Sequence, residues 1–512
     1  MRAPFPALLG LALLALTLAR LPAAWESGNA LNHVSGAWMA LADDLARGTL
    51  YRPLHDPGVG FGGTRFFPLS FAAHGALLAA GVPLLLGGLV LSLAAGVLAV
   101  AGAARFLRRA GHGPLGALGL GALVLAGFAG QHALAAARGD LPAAALTLWA
   151  MGALLPPRAA RPRGLAGLEW ASGLGPRPAA AAVLPAALLL TLAFAAKPTA
   201  LAAAAAAVVF LLLARERGRA LALALAVAAG CAAVVLGTDL ASGGRFLPMM
   251  RDLGPGGLAA RDLVAAPARL ATRLWREDPA GLALVACAGL VFVLARGHAR
   301  RRPGARTLAA LWLAAALGAS LVVFASPGTG VNHLLDLEVP AALLLATCAV
   351  APARRFARPA AALAAAAGLA TGALLWRQDR TVSRLDAMVE ALEASAEGAP
   401  APLLSEDPLL PLLAGERPYA NDPWMLRLAS ERDPALARPL LHGIAEGKFR
   451  AIVLLRRADA PDADEWFDEE FGPEAIAAIR SRWTLRLVAG PYHVYRYDPG
   501  VQARTILRSS PP

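Results

Sequence analysis

The sequence predicts a mainly α, polytopic membrane helix bundle that carries a small α/β domain at its C-terminal end. Three observations predict it. The 512-residue chain is 57% hydrophobic and 16% charged, with a mean hydropathy of +0.54, far more apolar than a water-soluble domain of this size. Its apolar residues cluster into runs close to the roughly 20 helical residues that cross a hydrocarbon core of about 30 Å. Beyond residue 376 the long runs stop, charge becomes denser and apolar residues begin to alternate.

Eleven runs fit the first two observations: 5–24, 83–106, 114–131, 140–155, 180–197, 199–214, 219–238, 279–297, 306–325, 332–351 and 358–376. The net charge of +13 would suit a nucleic-acid binder, but the positive residues sit mainly in short connections: 105–109 (RFLRR), 157–163 (PRAARPR), 215–219 (RERGR), 296–306 (RGHARRRPGAR) and 354–358 (RRFAR). If the N-terminus starts on that side, all five fall on one face, which the distribution of basic residues makes cytoplasmic. The opposite connections, 128–139 and 326–332, hold one Arg between them. The expectation is an integral inner (plasma) membrane protein with a cytoplasmic N-terminus, residues 377–512 extracytoplasmic, the bilayer as partner and no nucleic acid. Making 66–81 a twelfth span would reverse the face of 105–109, so this stretch is laid along the outer interface.

Residues 1–24 also have the outline of a cleaved signal peptide, with Arg2 ahead of an apolar stretch and small residues near its end. A retained span is preferred, because the residues that follow need an anchor if they build a site at the membrane surface. Cys231, Cys287 and Cys348 lie inside apolar runs without metal spacing and read as small core residues.

The outer segment 25–82 is the first with chemical character. Residues 35–51 (SGAWMALADDLARGTLY) place Trp38, Leu41 and Leu45 on one helical face and Asp43, Asp44 and Arg47 elsewhere, with Gly48 to end the helix. The Pro- and Gly-rich stretch after it, 51–68, reads as an irregular loop returning to the bilayer. A bland lid would fit, yet His33, His55, Asp56 and Arg65 at membrane depth are costly decoration. Lys197 is one of two lysines among 48 basic residues and stands between two spans. Such a cation either snorkels to the interface or marks an anion site. Asp140 opens a span from the outer side, where an N-cap is the simplest reading. Finally, Asn32-His33 recurs as Asn332-His333, although the chain contains only four asparagines and nine histidines. Each Asn can cap the helix after it; together the two pairs join Asp140 and Lys197 on the outer face.

Taken in order, the outer amphipathic helix ending at Gly48, the RFFP re-entry at 65–68, the outer Asp140 at a span start and the KPT at 197–199 resemble the C-type glycosyltransferases. Within that superfamily they look most like the aminoarabinose transferase and protein O-mannosyltransferase branch. The resemblance covers roughly residues 1–350 and rests on the order of short motifs. It implies a sugar taken from a polyprenyl-phosphate donor and passed, with inversion, to a lipid, glycan or protein acceptor on the outer face. Asp140 matches the acidic residue of the family's second outer loop, Lys197 its turn lysine, and Arg65 stands near its basic residue before the re-entrant helix. The match fails where family members carry an Asp-Glu pair before the amphipathic helix, because Asn32-His33 stands there in this chain.

The implied chemistry needs a base for the attacking hydroxyl and cations or donors for the departing phosphate. His33 is a candidate base, since an imidazole titrates near neutrality, and Glu26 is the nearest upstream carboxylate. Asn332 and His333 are candidates for phosphate or sugar binding, with Asp336 or Glu338 one turn on to orient His333. No cofactor is indicated with certainty; a divalent metal on carboxylates and imidazoles is the alternative, without compact metal spacing.

Residues 450–455 and 483–499 read as strands, the second stretch a hairpin through Ala489-Gly490-Pro491, and 424–433 and 473–482 as helices. Residues 403–424 suggest a strand and loop facing the membrane portion. No nucleotide-binding fingerprint occurs, so a soluble nucleotide-sugar donor is not expected. Two functional classes remain open: a glycosyltransferase on a lipid-linked donor, or a non-catalytic bundle that binds or transports a lipid or glycan. Internal halves with broken helices would favour a transporter, and none is visible.

Overall fold

The computed structural model describes residues 5–499 except 57, 157–178, 255, 257, 259, 296–302, 327, 350–353, 397–400 and 461–469. The basic connection at 157–163 and most of that at 296–306 lie outside the described residues.

All eleven apolar runs are helical. They form α1 (Phe5–Ser27), α4 (Leu84–Ala110), the pair α5 (Pro114–Gly121) and α6 (Phe128–Ala133), α7 (Asp140–Leu154), α8 (Ala179–Ala196), α9 (Leu201–Leu213), α10 (Arg217–Ala241), α13 (Pro279–Leu294), α14 (Ala305–Val323), α15 (Leu335–Cys348) and α16 (Arg354–Thr381). Between them lie α2 (His33–Ala46), α3 (Pro68–Ala79), α11 (Phe246–Leu253) and α12 (Ala266–Arg276). Among the described residues six helical stretches are long and apolar enough to cross a membrane, and a seventh if α12 and α13, bent by 116°, are one span. Other runs, such as Asp140–Leu154 and Pro198–Leu213, are shorter apolar helices. The chain is thus a multi-pass membrane protein. At 12 residues α3 is too short to cross, as its assignment to the interface requires.

The bundle core is mostly alanine and leucine. Small residues allow close helix approach where lipid offers no competing hydrophobic drive. At the crossing of α1 and α5, a Cβ on Gly10 would strike the Gly119 backbone, and one on Gly119 would strike Ala7. At the bundle end remote from Asp140, Arg109 donates to the carbonyls of Gly152 (2.6 Å) and Leu155 (2.5 Å) at the end of α7, a favourable place for a cation.

The C-terminal part contains α17 (Arg384–Ala396), β1 (Leu403–Ser405), α18 (Leu409–Leu413), α19 (Pro423–Arg432), α20 (Arg438–Ala445), β2 (Ala451–Leu454), α21 (Pro473–Arg482), β3 (Trp483–Ala489) and β4 (Tyr492–Tyr497). The sheet order is β1-β2-β4-β3, with β1 parallel to β2 and the other neighbours antiparallel. The expected strands, hairpin and helices are all present. Gly490 at φ 53° makes the hairpin turn, a conformation that costs glycine little. The last long helix continues to Thr381, beyond the expected end of its apolar run at 376, so the first element of the α/β part starts at Arg384.

This domain sits on the bundle through the 25–82 segment. Asp44, on the inward face of α2, bonds Arg52 (2.7 Å) and Asn421 (2.8 Å), both buried, and Arg52 also donates to the Pro418 carbonyl at 3.1 Å. Backbone bonds join Phe61 to Tyr419 (2.6 Å) and Asn421 to Phe61 (3.1 Å). Gly60 is held at φ 118° against Tyr419, where a side chain would collide. The amphipathic helix is therefore clamped between bundle and domain, with its second carboxylate buried instead of solvated.

Candidate active site

Where domain and bundle meet, a cavity of about 700 Å³ opens among the starts of α2 and α7, the turn before α9, the start of α15 and the loop before α19. Asn32 caps α2, accepting from the backbone nitrogens of Val34 (3.1 Å) and Ser35 (3.3 Å). The same oxygen accepts from Arg138 Nη2 at 2.6 Å, so the cap also fixes a cation in the wall. Arg65 is placed by its neighbours: Phe66 stacks on Trp38 at 4.6 Å and Phe67 meets Phe194 edge-on at 4.9 Å.

At the floor, Lys197 Nζ lies 2.7 Å from Asp140 Oδ1 and 2.9 Å from Asp336 Oδ2. Asn332 Nδ2 donates to Asp140 Oδ1 at 3.0 Å and Thr199 to Asp336 Oδ2 at 2.9 Å. Asp140 is thus the centre of a charge network. His333 lines the cavity, and its Nδ1 has no hydrogen-bond partner among the described residues. The two Asn-His pairs therefore differ in what the Asn does: Asn32 caps α2 and anchors Arg138, and Asn332 holds Asp140.

His33 faces the C-terminal domain, with Nε2 3.5 Å from Glu470 Oε1. Burial, with Arg138 and Arg384 nearby, outweighs the pull of Asp407 and lowers the imidazole to about 4. At neutral pH it is uncharged and a weak base, less suited to the role of base that its position suggested. Burial together with Glu406 and Asp422 raises Glu470 well above the carboxylate range. Asp422 is raised to about 6 by burial, against the opposing effect of Arg65.

Arg65 and Arg138 share one feature. Both guanidinium pKa values are lowered by burial, Arg138 to about 10, and neither has a carboxylate within ion-pairing distance among the described residues. Both line the cavity. Arg138 is buried and Arg65 half-buried, and cations in a cavity wall without a direct ion pair favour an anion there.

The residues expected from sequence separate into two groups. His33, Arg65, Asp140, Lys197, Asn332 and His333 line one cavity. Glu26, the alternative base, is exposed and outside the cavity wall, because it lies on the last turn of α1 facing away. Glu338, expected at the substrate, is fully buried behind the site against Gly127 and Gly130, since it projects from α15 toward α6. Arg138, Asp422 and Glu470 were missed. Arg138 carried a signal, as the lone Arg of the otherwise uncharged outer connections.

Among the described residues no group of three or more His, Cys, Asp or Glu side chains is arranged to hold a metal ion. Between Asp140 and Asp336 stands the Lys197 ammonium. As they stand, these carboxylates do not fit a divalent cation.

This arrangement, a helix bundle with a polar cavity under a small α/β domain, is similar in fold to solved membrane glycosyltransferases. The chain superposes on ArnT from Cupriavidus metallidurans bound to undecaprenyl phosphate with a TM-score of 0.57 at 12% identity, over 95% of this chain and 97% of that one. It also superposes on the Archaeoglobus fulgidus oligosaccharyltransferase in complex with Zn and sulfate, at TM-score 0.53 and 12% identity over 95% and 73% of the two chains. For the same organism's AglB with an inhibitory peptide and a dolichol-phosphate the values are 0.50 and 12%, over 94% and 74%. No protein-family model and no curated protein matches the sequence.

Proposed function

We propose that the protein is a membrane glycosyltransferase that takes a sugar from a polyprenyl-phosphate donor and passes it to a lipid, glycan or protein acceptor at the extracytoplasmic face of the inner membrane. The observation that carries this reading is that the guanidiniums of Arg138, buried, and Arg65, half-buried, face one cavity with no direct ion pair among the described residues. A second cavity, apolar and of about 260 Å³, runs between α3, α4 and α7 and shares Trp38 and Arg138 with the first. An anion site beside an apolar groove suits an amphiphile with a phosphate head and a hydrocarbon tail. The same likeness of fold joins the chain to ArnT with its undecaprenyl phosphate.

In this reading Arg65 and Arg138 hold the donor phosphate and receive the negative charge that develops as it leaves, the electrostatic part of the catalysis. Lys197 balances Asp140 and Asp336, so Asp140 is held in one orientation toward the sugar, with Asn332 and His333 beside it to bond the sugar or phosphate. Uncharged His33 and Glu470 lie 3.5 Å apart at the wall, placed to hydrogen-bond an acceptor hydroxyl. Attack opposite the leaving phosphate gives inversion. Residues 1–376 carry the donor half of the site and residues 377–512 close it.

A binding or transport protein is the second reading, favoured by one observation: no carboxylate of the 25–82 segment lines the cavity. Purified protein in lipid, given a set of labelled polyprenyl-phosphate sugars and candidate acceptors, separates the two. Transfer that falls in Asp140→Asn and Arg138→Gln is expected. Donor binding without any transfer would leave the second reading.

A further inference from the structure

The attacking hydroxyl must lose a proton, and no carboxylate of the outer segment 25–82, Asp56 included, lines the cavity to take it. Glu26 is exposed outside the cavity, Asp43 is paired with Arg47 at 2.8 Å, and Asp44 is buried against Arg52 and Asn421. Of the carboxylates in the cavity wall, Asp140 is committed to Lys197 and Asn332, and Glu277 is paired with Arg273. Glu470 faces His33.

We propose that Asp422, carried on the C-terminal domain, is the general base that receives the acceptor's proton. This inference rests on the glycosyltransferase reading above. Asp422 lies in the cavity wall, 8% exposed. It is held rigidly: Oδ1 accepts from the backbone nitrogen of Met425 at 3.3 Å, and Pro423 fixes the first turn of α19. Among the described residues no ammonium or guanidinium forms a direct ion pair with it, while Arg65 acts on it at longer range. Base and phosphate-binding cation thus flank the same volume. In the step, the acceptor oxygen bonds the anomeric carbon as the bond from that carbon to the phosphate oxygen breaks. The electron pair leaves on the lipid phosphate, and the hydroxyl proton passes to the Asp422 carboxylate. A carboxylate raised to about 6 is ionised at neutral pH yet basic enough for this work.

The competing explanation is that Asp422 only caps α19. Asn and Ser cap helices about as well as Asp, so Asp422→Asn and Asp422→Ser keep the cap and remove the base. The test is transfer from a labelled polyprenyl-phosphate sugar across pH 5–8 by both variants, with polyprenyl phosphate binding and thermal melting measured in parallel. Wild type should lose kcat/KM as pH falls through about 6, because protonation removes the base. Both variants should melt and bind as wild type does, lose transfer by about 10²–10⁴-fold and show no limb near 6. Asp422→Glu should recover part of the rate with a displaced limb. Transfer within a few-fold of wild type in either variant, with the limb intact, overturns the proposal and leaves the glycosyltransferase reading standing. A wild-type protein that transfers from no donor overturns that reading and this inference with it.

Discussion

Replacing Lys197 by Met tests whether the charge network at the cavity floor holds the site together. The ammonium lies 2.7 and 2.9 Å from two carboxylates, with side-chain exposures of 9% for Lys197, 6% for Asp140 and 26% for Asp336. Removing one partner of a buried ion pair costs about 3–5 kcal/mol, most of it the penalty for the charge left behind. Asp336 is partly solvated, which screens its share and places the expected loss near the lower end, about 3 kcal/mol. In detergent such a protein unfolds irreversibly, so the readout is a drop in apparent melting temperature at fixed scan rate, on the order of 5 °C. Lys197→Arg keeps the charge and should lose less. Lys197→Met combined with Asp336→Asn removes one orphaned charge and should recover part of the melting temperature while transfer stays low, because Asp140 remains unbalanced. An unchanged melting temperature in Lys197→Met would refute the assignment of Lys197 as counter-ion to both carboxylates.

Three further outcomes follow from the same geometry. Asp44→Ala leaves Arg52 buried with only the Pro418 carbonyl, and should destabilise the domain contact by about 3–5 kcal/mol, seen as faster limited proteolysis between bundle and C-terminal domain. Asn32→Ala removes both the cap of α2 and the anchor of Arg138, costing about 1 kcal/mol and weakening donor binding, whereas Asn332→Ala should melt normally and affect transfer alone. Gly127→Ala would place a methyl group on the Glu338 carboxyl; a lower melting temperature is expected, and a normal one would show that Glu338 can swing away.

The helices were legible in the sequence because a bilayer leaves little choice: long apolar runs must satisfy their own backbone bonds. The strands at 451–454 and 483–497 were legible from alternation, and the turn from Gly490. Half of the site was legible through scarcity. All four asparagines, placed among so few others, join distant segments: Asn29 to Asp379 and Val382, Asn32 to Arg138, Asn332 to Asp140 and Asn421 to Asp44. What stayed hidden is what tertiary folding alone assembles. Asp422 and Glu470 reach the cavity from a domain whose local sequence reads as structural support, and their chemistry comes from burial that no motif encodes. Glu26 and Glu338 show the converse, since a helix sets direction as well as position: one points off the last turn of α1, the other into the bundle.

The central claim is that the guanidiniums of Arg65 and Arg138, facing one cavity and in no direct ion pair among the described residues, form the site for a lipid phosphate. It is tested most directly by measuring polyprenyl phosphate affinity for wild type, Arg65→Gln, Arg138→Gln and the double variant in lipid nanodiscs. A hydrogen bond to a charged group contributes about 1.5–3 kcal/mol, so each single variant should bind about 10- to 150-fold more weakly, and the double variant more weakly still. A double variant that binds as tightly as wild type would contradict the account.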